Sequence, residues 1–137
     1  MKHEDVLKNA GVRVTALRLM IWRTISDKMK EAFSLADLEL LLISVDKSTL
    51  FRSLILFTEH GLLHTINDGS GSQKYCVCHC DDHNHHHGHV HLTCIHCHKT
   101  WCLENVSIPS VSVPTGYDVV ECEYIVKTVC PMCKNKK

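Results

Sequence analysis

Apolar residues along the first 65 positions recur with helical spacing and resolve into three amphipathic segments. Leu17, Met20, Ile21, Ile25 and Met29 form one stripe behind Thr15, whose hydroxyl suits an N-cap. In SLAD, Ser34 and Asp37 have capping-box spacing, with Asp in place of the usual Glu or Gln, ahead of Leu38, Leu41 and Leu42. A third segment, Lys47 to His60, puts Leu50, Leu54 and Phe57 on one face and leaves Thr49, Phe51, Arg52 and Ile55 on others; Gly61 closes it. The period then changes. LLHTI and KYCVC, each of strand length, flank NDGSGSQ, a run of turn formers, and are expected to pair as a hairpin. Three helices followed by a hairpin predict a winged helix-turn-helix, against the plainer alternative of a generic small helical domain.

From Asp81 to Gly88 the chain reads DDHNHHHG, polar and low in complexity, which marks a linker between two units. Beyond it the pattern is that of strands: HVHLTC, KTWCL and DVVECEYIVKTV. In the last, Val120, Cys122, Tyr124 and Val126 alternate with Glu121, Glu123 and Lys127, predicting one buried face and one wet face. NVSIPSVSVPTGY, with two prolines and several β-branched residues, predicts an extended connection and no long helix. The expected fold class is therefore α/β, with a winged-helix domain at residues 1–80, a His-rich hinge at 81–88 and a small C-terminal domain at 89–137.

Composition changes this picture in two ways. The 137 residues allow one modest core or two small ones, and small cores need staples; nine cysteines and twelve histidines can supply them. MKHEDVLKNAGVRV carries no apolar signal-peptide core, and no run of about 18 apolar residues could span a membrane. A reduced, cytoplasmic chain is expected, in which cysteines bind metal and do not pair as disulfides. Charge adds a restriction: 15 basic and 15 acidic residues sum to zero, so a nucleic-acid contact must rest on local charge.

The metal-binding candidates fall into two groups. CIHC (Cys94, Cys97) and CPMC (Cys130, Cys133) are Cys-x-x-Cys knuckles, each bringing two thiolates to one side of a tight turn; together they complete a tetrahedral zinc site. A redox centre is the alternative for one such pair, but two pairs without a βαβ pattern favour structural zinc. The second group is imidazole-rich. On a strand His89 and His91 point one way while Val90, Leu92 and Cys94 point the other, so one strand serves two sites and HVH has the geometry of a chelating pair. KYCVCHC adds Cys76, Cys78 and Cys80 on one face of the second wing strand, and His64 sits on its partner. Thiolate with imidazole suits Zn(II). The competing reading makes Cys76 and Cys78 small core residues and His64 a surface histidine. His83, His85, His86 and His87 lack such order and read as a solvated loop.

GVRVTALR, STLFRSL, HGLLH, HVHLTCIHC and CPMC, in this order and spacing, resemble the ferric uptake regulator family of metal-responsive repressors, most closely its zinc uptake regulator branch. The resemblance covers nearly the whole chain. It implies a homodimer, an N-terminal winged-helix domain on DNA, and a C-terminal α/β dimerisation domain with zinc on Cys94, Cys97, Cys130 and Cys133. It further implies a regulatory zinc at His64, Cys78, His89 and His91, with Cys76 or Cys80 as substitutes for Cys78, and hence two Zn(2+) per chain. Where iron- and peroxide-sensing relatives place a histidine before the second helix of the DNA-binding domain, this chain has Ala32. Gly88, Val90, Pro109 and Cys122 stand where an additional site would need ligands, so that site is expected to be absent or rebuilt, and the dimerisation helix shortened. DNA contacts are implied for Arg13, Arg18, Ser48, Thr49, Phe51 and Arg52, with Phe51 in place of the usual tyrosine and Arg52 able to reach phosphate or a guanine edge.

These readings converge on a zinc-sensing, DNA-binding transcriptional repressor of metal-homeostasis genes. It would act on a palindromic double-stranded operator and be no enzyme, since no HExxH-like helix supplies a general base. The alternatives are the same fold sensing iron or peroxide, and a cytosolic zinc buffer without a DNA role.

Overall fold

The chain opens with a helix that the hydrophobic pattern did not announce. In the computed structural model, which describes residues 2–67, 69, 71–77, 90–103, 106, 111–120 and 122–135, α1 spans His3–Asn9 and buries Leu7. It ends where Gly11 takes φ 83: the Gly11 amide bonds the Lys8 carbonyl and the Val12 amide bonds that of Leu7. This is a Schellman turn, and its apolar partners, Leu7 and Val12, are both buried. The expected helix follows as α2, Ala16–Lys28, with the Thr15 side chain accepting from the Arg18 amide. Its buried stripe differs from the expected one: Ile21 and Ile25 are inside, Leu17 and Met20 are 41% and 39% exposed, and Trp22 is buried instead. Trp22 earns its place by meeting Phe57 edge-on, ring centres 5.5 Å apart.

Two residues, Phe33–Ser34, form β1 before α3, Leu35–Leu41. The capping box is present in full, with the Asp37 amide donating to Ser34 Oγ and the Ser34 amide to Asp37 Oδ2. Leu38 is buried, whereas Leu41 is 48% exposed. Helix α4, Lys47–Glu59, buries Leu50, Leu54 and Phe57 as expected, behind Asp46 as N-cap. A second Schellman turn closes it, with Gly61 at φ 76 and bonds from Gly61 to Thr58 and from Leu62 to Phe57. Strands β2, Leu63–Ile66, and β3, Lys74–Val77, then pair antiparallel, and β1 adds to the far side of β3, giving the order β1-β3-β2. Four helices and this three-stranded wing make up the first of two units, Met1–Cys78.

The second unit, His79–Lys137, contains β4 (Val90–Cys94), β5 (Thr100–Leu103) and β6 (Tyr124–Thr128) in the order β5-β4-β6. Strand β4 pairs antiparallel with β5 and parallel with β6, and a one-turn helix, α5 (Pro131–Lys134), follows. The expected alternation from Val120 fails: β6 starts only at Tyr124, and Val120 and Val126 are 83% and 46% exposed. Alternation buries a face only where another layer covers it, and every residue from 111 to 120 is exposed. No helix occurs among the described residues between β5 and β6. The hinge at 81–88 lies outside the described residues.

Candidate metal centre and nucleic-acid interface

Cys94 ends β4, and the chain turns at once toward β5: the His98 amide bonds the Cys94 carbonyl and the Cys94 amide bonds that of Lys99, with His98 at φ 61. This turn carries Cys97 back beside Cys94. The parallel register sets Cys94 against Thr128, so Cys130 arrives two residues later at the same end of the sheet. Pro131 fits the first helical position, its φ fixed and its missing N–H not needed there. The single turn of α5 then returns Cys133 to Cys130. All four sulfurs lie within 4.8 Å of one another, and Cys97 Sγ and Cys130 Sγ are 3.8 Å apart. A tetrahedral zinc with bonds of about 2.3 Å has sulfur–sulfur edges of about 3.8 Å, so the donor set fits that ion.

Electrostatics point the same way. The Cys130 and Cys97 amides pull the Cys94 thiol down to about 5, while the Cys130 thiol, burial and the other sulfurs push Cys133 up to about 12. Four thiolates so close repel one another, and a divalent cation removes the conflict while displacing their protons. Unit 2 has reason to use one. Its buried apolar residues, among those described, are Val90, Cys94 and Cys130, too little core to hold a sheet unaided.

The imidazole donors are placed by strand register. On the wing, His64 of β2 stands directly opposite Cys76 of β3. Opposite residues of an antiparallel pair share a face, with Cβ atoms about 4.5–5.5 Å apart, so imidazole and thiol project together. In unit 2, His91, only 7% exposed, stands opposite Cys102 of β5 in the same way. Cys102 was passed over in the sequence because KTWCL reads only as a strand. Alternation was its available signal: Thr100 and Cys102 share a face of β5, and Thr100 meets Thr93, two residues from His91, with hydroxyl oxygens 3.1 Å apart. Cys78, Cys80, His89 and the histidines of the hinge lie outside the described residues. Ala32 is half-buried and offers no donor.

Helix α4 presents the other candidate surface. The start of α2 and the outer face of α4 line a groove of about 430 Å³ with Thr15, Leu17, Arg18, Thr49, Arg52, Ile55 and Glu59. Arg18, Thr49 and Arg52 are thus brought together, while Ser48 and Phe51 are exposed on the same helix and Arg13 is exposed before α2. Two of these groups have internal bonds. The Arg18 guanidinium donates to the Arg13 carbonyl at 2.9 Å, and the Thr49 hydroxyl donates to Asp46 at 2.7 Å. Thr49 therefore retains an acceptor, not a donor, for an incoming group. Thr15, Leu17, Ile55 and Glu59 were not anticipated as lining residues.

Several solved structures with this fold are of regulators described with a metal. The chain superposes on a zinc uptake regulator complexed with zinc and DNA, with a TM-score of 0.68, 21% identity and coverage of 96% of this chain and 89% of that one. It is also similar to the ferric uptake regulator of Pseudomonas aeruginosa with manganese (TM-score 0.65, 18% identity, 96% and 99% covered). A zinc-bound manganese uptake regulator gives a TM-score of 0.61 at 16% identity, with 94% and 100% covered. No curated protein sequence matches the chain. The sequence profile of the ferric uptake regulator family, however, matches residues 9–123, from the end of α1 to the threshold of β6. With the winged unit, the four-cysteine cluster and this match all in one chain, the protein belongs to the ferric uptake regulator family.

Proposed function

We propose that the protein is a zinc-responsive, DNA-binding transcriptional repressor of metal-homeostasis genes. The observation that carries the choice of metal is the wing's facing pair, His64 and Cys76. A thiol beside an imidazole is a soft donor set suited to zinc, whereas iron and manganese favour carboxylate-rich sites. Cys94, Cys97, Cys130 and Cys133 hold a first, structural zinc. A second, regulatory zinc takes His64, His89 and His91 with a wing cysteine. Cys78 is the residue expected from the resemblance, and Cys76 is supported by its place opposite His64. Bound there, zinc supplies a four-coordinate cross-link. Residues of both the wing and the C-terminal domain hold it, so occupancy biases the protein toward one arrangement of the two.

The exposed side of α4 meets DNA, with Phe51 against a thymine methyl and Arg52 at a base edge or phosphate. Arg13, Arg18, Ser48 and Thr49 flank it. The protein acts as a homodimer on a palindromic operator. Val111, Val113, Tyr117 and Val119, each at least 43% exposed in the single chain, offer apolar surface for a second copy to cover. Residues 1–80, 81–88 and 89–137 serve as DNA-binding domain, hinge and dimerisation domain. The described residues contain no helix long and apolar enough to cross a membrane. The place of work we propose is the cytoplasm, where thiols stay reduced for metal binding.

Metal analysis of the full chain purified under reducing conditions, before and after mild chelation, tests this together with operator binding at each stage. Two zincs per chain are expected, one of them removable with loss of DNA binding and recovery on adding zinc. Replacing His89 and His91 together by Ala should retain the resistant zinc and abolish zinc-dependent binding. DNA binding indifferent to zinc, or restored by iron or manganese alone, would overturn the reading.

A further inference from the structure

Thr49 lines the groove beside Arg18 and Arg52, and its hydroxyl proton is already engaged. A threonine hydroxyl ordinarily donates or accepts as its neighbour requires. Here it donates to Asp46 Oδ1 at 2.7 Å, while Asp46 Oδ2 accepts from the Thr49 amide at 3.0 Å. The two bonds fix both partners and, with the Arg52 guanidinium nearby, keep the exposed Asp46 carboxyl ionised. An ionised carboxylate has no proton to give, and the hydroxyl has given its own. Toward an incoming molecule the pair therefore presents lone pairs alone, beside two guanidinium groups that present donors alone.

A recognition helix sets the residues of its first turns against base edges in the major groove. Phosphate oxygens are acceptors, as are guanine O6 and N7, adenine N7 and thymine O4; the donors on that side of the duplex are the amines of adenine N6 and cytosine N4. We propose that Thr49 Oγ1 reads a base carrying an exocyclic amine, adenine or cytosine, at one base pair of each half-site, and that Asp46 is the positioning residue that makes this hydroxyl an acceptor. The inference rests on the reading that the exposed side of α4 meets DNA, and adds to it Asp46 and the class of base read. Guanine or thymine at that place sets a carbonyl oxygen against lone pairs, so selection works by penalising the wrong base. Arg18 and Arg52 supply the attraction that the carboxylate opposes. In Asp46→Asn the shape stays, but the new amide can donate to Thr49 Oγ1 and release the hydroxyl proton toward the groove, reversing what the threonine asks of a base.

Zinc-loaded full-length protein, challenged with a pool of randomised duplex DNA, yields the preferred operator. Native, Thr49→Val and Asp46→Asn proteins are then titrated with that duplex and with copies in which one amine is deleted, purine replacing adenine or 2-pyrimidinone replacing cytosine. At one base pair of each half-site the deletion should weaken native binding by about 5-fold or more, the lower end for a single mismatched pair. Thr49→Val should be insensitive to that same deletion, a comparison in which the deletion's effect on the duplex itself cancels. Asp46→Asn should shift the selected base there toward guanine or thymine and leave the other positions alone. If both variants select the native sequence and lose as much as the native chain from every deletion, the roles of Thr49 and Asp46 are refuted while DNA binding through α4 stands. If the native chain selects no sequence from the pool, the DNA-binding reading fails, and this inference with it. Should Asp46→Asn lose its unfolding transition, Asp46→Ser, a neutral cap, decides in its place, and an unchanged base preference refutes the proposal.

Discussion

Asp46 holds the start of α4 with both carboxylate oxygens: Oδ2 accepts from the Thr49 amide at 3.0 Å and Oδ1 from the Thr49 hydroxyl at 2.7 Å. Both bonds favour the charged form, and the Thr49 side chain, then its amide, holds the carboxyl below its usual value. A depressed folded pKa stabilises the fold above the unfolded value and is lost as pH falls through the folded one. Asp46→Asn keeps an N-cap acceptor but no longer titrates. Its stability should therefore decline less steeply than the native chain's on the acid side, as followed by denaturant unfolding across pH; parallel declines would show that the cap does not couple to protonation. The same residue bears on function, because its charge shares the first turn of α4 with the groups expected to approach DNA. Arg52 lies close enough to contribute to holding Asp46 ionised, which ties the cap to the arginine on the exposed side of the helix.

At the scale of elements, α4 divides its labour by face: Leu50, Leu54 and Phe57 are fully buried, while Phe51 and Arg52 are exposed. Arg52→Ala should cost about 1–3 kcal/mol in operator affinity if the guanidinium reads a base edge. Zinc content and thermal stability should not move, because the side chain supports nothing in the core. Operator affinity unchanged at matched salt and zinc would remove α4 from the interface. This division was legible in the sequence because thirteen residues carry several turns of periodicity and Gly61 marks the end. Helix α1 was not: seven residues bury one side chain, Leu7, too few to show a period, although the Gly11 that closes it has the same role as Gly61. Strand β1 consists of two residues and exists through its pairing with β3, 40 positions away, which local pattern does not encode. The four-cysteine cluster could be read directly, since Cys-x-x-Cys spacing creates each half locally. The facing of Cys102 and His91 could not, because it depends on which residue of β4 lies opposite.

The two units of the molecule differ in what holds them. Unit 1 has a contiguous core that includes Leu7, Ile21, Trp22, Leu38, Leu54 and Phe57, enough apolar burial for cooperative folding without a ligand. Among the described residues of unit 2 the most enclosed include Cys94, Thr93 and Thr100, with Cys130 close behind, and many of the other apolar side chains are exposed. Metal binding to such a unit is folding free energy, and apparent values for structural zinc in small domains are about 10–16 kcal/mol. Cys97→Ser leaves three thiols and an open ligand position. It should lose the tightly held metal, abolish the unfolding transition of the C-terminal unit and leave a monomer, while the helical unit keeps its own transition. Calorimetry with metal analysis and sedimentation on the same preparation separates these outcomes. A Cys97→Ser protein that retains full zinc, two transitions and a dimer would mean that the cluster is not the staple of unit 2. The exposed apolar side chains there, including Val111, Tyr117 and Val119, would then have to supply the stability instead, by packing against the second copy proposed above.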